Sequence, residues 1–168
     1  HAKKGSLTDI LKSFQDKNEP SQYTNTTRLI IIAGIAKGMK LLHDQNIIHL
    51  DLKSSNILLD DNYKPIITDF YLTNLIEIKK SLNQFKGNLP YLAPEILKEE
   101  SYDKKADVYA FGILMYEILT DSIAYPELQN GNISDLQFQN KVIFENYRPT
   151  FTKNINESLQ QLINKCLS

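Results

Sequence analysis

Residues 49–56 read His49-Leu50-Asp51-Leu52-Lys53-Ser54-Ser55-Asn56, between the apolar pair Ile47-Ile48 and the apolar run Ile57-Leu58-Leu59. Asp51, Lys53 and Asn56 are polar groups that neither a helix nor a strand needs for packing, and loops held on a rigid frame are where reactive side chains concentrate. Thr68-Asp69-Phe70 adds a second carboxylate 18 residues after Asp51. Asn56 and Asp69 offer hard oxygen ligands for Mg²⁺, an ion that takes one or two protein groups and completes its shell with phosphate oxygens and water. Asp51 can accept a proton, and Lys53 can offset the charge of a phosphate. Together they suit phosphoryl transfer, in which positioning and electrostatic stabilisation supply most of the catalysis.

These residues need elements that hold them in register. Two short strands, Ile57-Leu58-Leu59 and Ile66-Ile67-Thr68, flank Asp60-Asp61-Asn62-Tyr63-Lys64-Pro65, whose residue types favour a turn. That hairpin folds Asp69 back beside Asn56. The remaining patterns are helical. Ser6, with Asp9 three positions on and Ile10, Leu11 and Phe14 following, forms a capping box that starts a short amphipathic helix, ended by Lys17 to Pro20. Thr24 to about His43 concentrates apolar and small side chains, which predicts a mostly buried helix with His43 as a surface residue at its end. Its Gly34 and Gly38 have the spacing of membrane-helix dimers, but Arg28, Lys37 and Lys40 favour packing in a soluble core. Asp103 to Thr120 predicts a buried central helix; it is shorter than the ~20 apolar residues of a membrane span and contains Asp107 and Glu117. Helical patterns recur at Asp135 to Glu145 and Asn156 to Leu167, whereas residues 71 to 90 lack a period and read as a loop. The expected fold class is mainly α with a short β hairpin.

The 168 residues are 42% hydrophobic and 23% charged, with 20 acidic against 19 basic groups and a net charge of −1. Such a chain can build a sizeable core and fits neither a disordered nor a fibrous class. The balanced charge sets up no global field for nucleic acid or an anionic bilayer, so no nucleic-acid partner and no membrane segment are expected. Cys166, the single cysteine, excludes an internal disulfide framework and a Cys-cluster zinc site, and it favours a cytoplasmic setting. The first residue is His1 rather than Met, which reads as an excised piece of a longer chain.

Residues 49–56 resemble the catalytic loop of the eukaryotic protein kinases, H-R-D-L-x-x-x-N. Asp69-Phe70-Tyr71 resembles D-F-G, and Ala93-Pro94-Glu95 is an intact A-P-E. Gly87-Asn88-Leu89-Pro90-Tyr91 resembles the segment that cradles the acceptor site, and Asp107-Val108-Tyr109-Ala110-Phe111-Gly112 resembles the start of the central helix of the large lobe. Gly5-Ser6-Leu7 resembles the end of the hinge between the lobes. Lys53, the tail Ser54 to Leu59, and Phe85-Lys86-Gly87 are most similar to the tyrosine-kinase-like group, whose members mostly phosphorylate Ser or Thr. The resemblance runs through the whole chain in order, and it is the ordered set that makes it specific.

The resemblance implies a kinase-like large lobe, with residues 1–168 a partial catalytic domain from the hinge end through the penultimate large-lobe helices. The implied function is that of a protein serine/threonine kinase using ATP and Mg²⁺ on protein substrates. By position, Asp51 would orient and deprotonate the acceptor hydroxyl, Lys53 would contact the γ-phosphate, and Asn56 and Asp69 would hold Mg²⁺. Ala2 (through its backbone), Ser6, Ser55 and Leu58 would line the adenine and ribose. His49 is implied as a packed structural residue and Asp107 as a brace for the loop backbone.

Three departures stand out. Leu50 replaces the loop arginine, which removes a charge-assisted contact to an activation-loop phosphate. Tyr71 replaces the D-F-G glycine, where a residue without Cβ turns freely. Asn88 replaces a threonine that bonds the catalytic Asp and Lys, and its amide can still donate. Leu50 and Tyr71 motivate the alternative of a pseudokinase or scaffold module. The 6 glycines form no G-x-G-x-x-G loop, so the small lobe is expected to be missing and the 168 residues alone to be inactive and weak in ATP binding. Arg148 is assigned to an earlier turn than the A-P-E partner, which leaves Glu95 as an unpaired buried charge. Exposed apolar surface is expected near Leu58 and Phe70.

Overall fold

The computed structural model describes residues 2–18, 20–69, 88–151 and 153–168. The expectations for Phe70, Tyr71 and Phe85-Lys86-Gly87, and for the loop before residue 88, lie outside the described residues. Among the described residues seven helices and one hairpin follow in the order α1 (Leu7–Gln15), α2 (Asn25–Asp44), β1 (Ile57–Leu59), β2 (Pro65–Ile67), α3 (Pro94–Leu97), α4 (Lys105–Thr120), α5 (Pro126–Gln129), α6 (Asp135–Phe144) and α7 (Glu157–Cys166). Single 3-10 turns span Ser54–Asn56 and Leu89–Tyr91.

The capping box at α1 forms as the sequence predicts. The Ser6 hydroxyl accepts from the Asp9 amide at 3.3 Å while the Asp9 carboxylate accepts from the Ser6 amide at 2.8 Å. Those contacts, the Ser6 amide first, hold the Asp9 carboxyl below its usual range. α1 stops at Gln15, and Lys17 takes a left-handed conformation with φ 56°.

α4 is the central helix. Ile113, Leu114, Met115 and Ile118 are fully buried, and α4 packs against α2 on one side and α7 on the other. Gly112 permits the second approach, since a Cβ there would lie 2.8 Å from that of Cys166.

α2 departs from the sequence expectation. Only the face carrying Thr27, Ile31, Ile35 and Met39, spaced four apart, together with Ile32, is buried. Leu29, Ile30 and Leu41 are exposed on the outer face. One flank of α2 carries the small residues, and that is where the hairpin sits. A Cβ on Gly34 would overlap the Pro65 ring, and one on Gly38 would lie 2.7 Å from the Ile67 side chain. The glycine spacing therefore serves strand–helix contact within the chain. Gly34→Ala should cost about 1–3 kcal/mol through overpacking. Denaturant midpoints check this, and a midpoint equal to the parent's would show that β2 shifts freely.

The hairpin pairs Ile57 with Ile67, Leu58 with Ile66 and Leu59 with Pro65 in antiparallel register. Asp60 closes its turn by accepting from the amides of Asn62 and Lys64, each at 2.8 Å. Ile57 and Leu59 face the core, whereas Leu58 is half-buried and its partner Ile66 is 42% exposed. Residues 4–6 extend the same edge: the Leu59 amide donates to the Gly5 carbonyl at 2.9 Å, and Ser6 bridges to Leu58.

Candidate active site

Asp107, at the start of α4 and 2% exposed, organises the loop between α2 and β1. Its carboxylate accepts from the backbone amides of His49 at 2.7 Å and Leu50 at 2.9 Å. Leu50 has φ 60°, a left-handed conformation costly for a side chain with a Cβ. Two charge-assisted bonds at that peptide hold it there. A third bond comes from His43, whose Nε2 donates to Asp107 at 2.8 Å. The surface placement expected of His43 is thus corrected. Its ring is 18% exposed and belongs to the brace.

His49 is fully buried, as the resemblance implies. Its Nδ1 accepts from the Asp51 amide at 3.3 Å, so Nε2 carries the proton and donates to the Thr68 carbonyl at 2.9 Å. The ring therefore ties the loop to the strand end that precedes Asp69.

Three polar side chains converge on Asp51. Lys53 Nζ lies 3.1 Å from its carboxylate, Asn56 Nδ2 donates to Oδ2 at 2.8 Å, and Asn88 Nδ2 donates to Oδ1. Lys53 also donates to Asn88 Oδ1 at 2.9 Å. A carboxylate can only accept and an ammonium can only donate, so these partners fix the orientation of the Asn88 amide. Asn88 thereby joins Asp51 and Lys53, the contacts its substitution for threonine put in question.

Asn56 spends its amide on Asp51, bonding the backbone carbonyl and the carboxylate at 2.8 Å each. Among the described residues its Oδ1 meets only the Ser55 hydroxyl, at 3.5 Å. The acceptor end of Asn56 is therefore turned away from Asp51. Thr68 links it to Asp69, since its hydroxyl reaches the Asn56 carbonyl at 3.2 Å and the Asp69 carboxylate at 3.4 Å. Asp69 is exposed and has φ 63°, a conformation that Asp tolerates better than most residues. Among the described residues no group of three or more His, Cys, Asp or Glu could hold a metal by itself.

Ser6 and Leu58 are neighbours through their bridge, and Ser55 is exposed just before β1. The Ser6 hydroxyl is committed to Asp9, to which it donates at 2.7 Å. Ala2 lies at the start of the same segment, where its carbonyl accepts from the Gly5 amide at 3.4 Å. Asp51, Lys53, Asn56 and Asn88 thus form one bonded cluster, with Asp69 attached through Thr68 and the 2–6 segment alongside β1.

Arg148 donates to the carbonyls of Leu167 at 2.8 Å, Tyr147 at 2.8 Å and Val142 at 3.3 Å, so it does not pair with Glu95. Glu95 is half-buried, which corrects the expectation of a fully buried charge, and it makes no ion pair among the described residues.

The protein kinase domain family matches this chain over residues 1–168. The chain belongs to the protein kinase family. It is 38% identical over 139 residues to an RGS domain-containing serine/threonine-protein kinase of Dictyostelium discoideum, an alignment covering 83% of this chain and 12% of the relative. A probable LIM domain-containing serine/threonine-protein kinase of the same organism is 34% identical over 164 residues, 98% of this chain and 24% of the relative. A serine/threonine/tyrosine-protein kinase of Arabidopsis thaliana is 34% identical over 161 residues, 94% of this chain and 39% of the relative. The chain thus spans well under half the length of these relatives.

This kinase chain contains one network that its motifs do not announce. Glu117, 2% exposed on α4, accepts from the Tyr91 hydroxyl at 2.7 Å and the Ala124 amide at 3.3 Å. The Tyr91 hydroxyl meets Ser54 at 3.1 Å, and Ser54 meets Thr8 at 2.8 Å. Burial raises the Glu117 pKa from 4.5 to about 7, against the lowering pull of its two donors. An acid whose folded pKa lies above its unfolded value binds its proton more tightly when folded. Its contribution is therefore fully present below pH 4.5 and lost as pH rises to about 7. Relative to Glu117→Gln, the parent should lose on the order of 3 kcal/mol across that window. Parallel denaturation of the two proteins at both ends of the range measures the difference.

Proposed function

We propose that this chain carries the phosphotransfer centre of a protein serine/threonine kinase, which in the full-length protein moves the γ-phosphate of ATP to Ser or Thr hydroxyls of protein substrates. The observation that carries this reading is the Asp51 carboxylate held by Lys53, Asn56 and Asn88. Asp51 orients the acceptor hydroxyl and takes its proton as the new oxygen–phosphorus bond forms and the bond to the β-phosphate bridging oxygen breaks, releasing ADP. Lys53 lies 3.1 Å from Asp51 and offsets the charge of the transferring phosphate.

The Asn56 Oδ1, turned away from Asp51 and bonded only weakly by Ser55, and the exposed Asp69 carboxylate fit Mg²⁺, which the family uses and which draws further ligands from phosphate and water. When bound, the ion neutralises charge on the phosphates. Ala2 through its backbone, Ser6, Ser55 and Leu58 line the adenine and ribose, with Leu58 offering apolar contact and Ser55 an exposed hydroxyl.

The test is transfer of labelled phosphate from ATP to Ser- and Thr-containing peptides by the full-length protein. Transfer that requires Mg²⁺ and falls in Asp51→Asn is the expected result. No transfer by the parent, or equal transfer by both proteins, would remove the catalytic assignment and leave a binding module.

A further inference from the structure

Backbone bonds of Lys4 and Gly5 to Leu59 join the start of α1 to β1. A separate bond, between the Thr8 and Ser54 hydroxyls at 2.8 Å, joins it to the Ser54–Asn56 turn. We propose, building on the kinase reading, that Thr8 is a positioning residue: through Ser54 it holds Lys53 and Asn56 in register with the nucleotide segment 2–6.

Counting protons fixes what Thr8 does. The Tyr91 hydroxyl donates to Glu117 at 2.7 Å, so toward Ser54, 3.1 Å away, it can only accept. Ser54 spends its single proton on Tyr91 and can in turn only accept from Thr8. Ser54 is buried at 8% exposure, and among the described residues Thr8 is the donor that satisfies its oxygen.

The turn depends on such a link because it has no side-chain cap of its own. Yet it carries groups that the phosphotransfer centre uses. Lys53 stands immediately before it, 3.1 Å from Asp51, and Asn56 at its end donates to Asp51 at 2.8 Å. On the other side, Thr8 is two residues from Ser6, whose amide and hydroxyl both donate to Asp9. The capped start of α1 is therefore a rigid reference, and the Thr8–Ser54 bond aligns the turn to it.

Thr8→Val keeps the side-chain shape and removes the donor, leaving the buried Ser54 oxygen unpaired. Misalignment of Lys53 and Asn56 acts on the transition state more than on nucleotide binding. The experiment compares the full-length parent with Thr8→Val, Thr8→Ser, Ser54→Ala and the Thr8→Val/Ser54→Ala double variant. It reads phosphate transfer beside hydrogen exchange at the Asn56 amide, which closes the turn by donating to the Lys53 carbonyl. In Thr8→Val, kcat should fall about three- to tenfold while the KM for ATP stays within about twofold, as loss of one such bond implies. Exchange at Asn56 should quicken by a similar factor while the α4 amides keep the parent's rates. Thr8→Ser, which retains the hydroxyl, should restore both readouts, and the double variant should lose no more than Ser54→Ala alone.

Unchanged exchange at Asn56 overturns the proposal, as does exchange that quickens equally in α4, the sign of a general loss of stability. Quicker exchange with kcat unchanged, losses that multiply in the double variant, or no recovery in Thr8→Ser overturns it too. If the parent transfers no phosphate, the kinase reading falls by itself and exchange at Asn56 decides the rest. Quicker exchange confined to the turn then upholds the positioning by Thr8, and unchanged exchange overturns both.

Discussion

Asp51→Asn in the full-length protein should lower phosphate transfer by about 10²–10⁴-fold, the range that a positioned general base contributes. The substitution removes the proton acceptor and also disturbs its surroundings. The carboxylate accepts from Lys53, Asn56 and Asn88, all of them donors at this site. An asparagine turns one amide NH₂ toward one of these donors, which costs about 1–3 kcal/mol for an unpaired polar group. Kinetics should separate the two consequences. If Asp51 acts on the acceptor hydroxyl, kcat falls while the KM for ATP stays within a few-fold, because nucleotide contacts are assigned to the 2–6 segment and β1. A variant that loses ATP affinity and transfer together would instead mark Asp51 as a structural member of the cluster. Asn88→Ala is the companion measurement. It leaves the carboxylate in place and removes one donor, so its loss in kcat should be smaller than that of Asp51→Asn.

Removing the brace should produce the largest loss of stability. Asp107→Ala leaves the amides of His49 and Leu50 and the ring of His43 without their shared acceptor in a buried setting. Breaking such a network costs about 3–5 kcal/mol. For a domain of this size each kcal/mol moves Tm by roughly 2–4 °C, so Tm should fall by roughly 6–20 °C. His43→Ala removes one partner and leaves both backbone bonds, so its effect should be clearly smaller. Thermal melts of the two variants beside the parent test that order. Equal melting of Asp107→Ala and the parent would refute the brace, and a larger effect for His43→Ala would transfer the main role to the histidine. The functional consequence follows from Leu50, whose left-handed backbone depends on Asp107. Without that support the peptide before Asp51 can relax, and transfer should fall even where the protein remains folded.

Much of the site was legible because its residues are close in sequence. Asp51, Lys53 and Asn56 lie within six positions, and a 3-10 turn closes them into one cluster. The hairpin was legible for the same reason, since Asp60 caps its own turn through Asn62 and Lys64. The α1 cap follows from residues three apart. α2 was legible as a helix but not in its degree of burial. Its outer face carries Leu29, Ile30 and Leu41, and hydrophobic content alone does not reveal which face meets a neighbour.

His43 shows the limit most clearly. It is 64 positions from Asp107, and nothing in the residues around it distinguishes a helix-end histidine on the surface from one that donates to a carboxylate on another helix. The pairing exists because α2 and α4 cross there. Glu117 is a similar case, since a lone carboxylate in an apolar helix gives no sign that Tyr91, 26 positions earlier, will bond it.

By itself the sequence determined the longer helices α1, α2, α4, α6 and α7, the hairpin, the family and the candidate reactive groups, because caps, turns and ordered motifs act over a few residues. Only the tertiary structure decided which distant partners complete that set: His43 on Asp107 and Tyr91 on Glu117. The physical reason is that hydrogen-bond geometry depends on positions good to a few tenths of an ångström. Between elements that far apart in the chain, only the packed core fixes positions so closely.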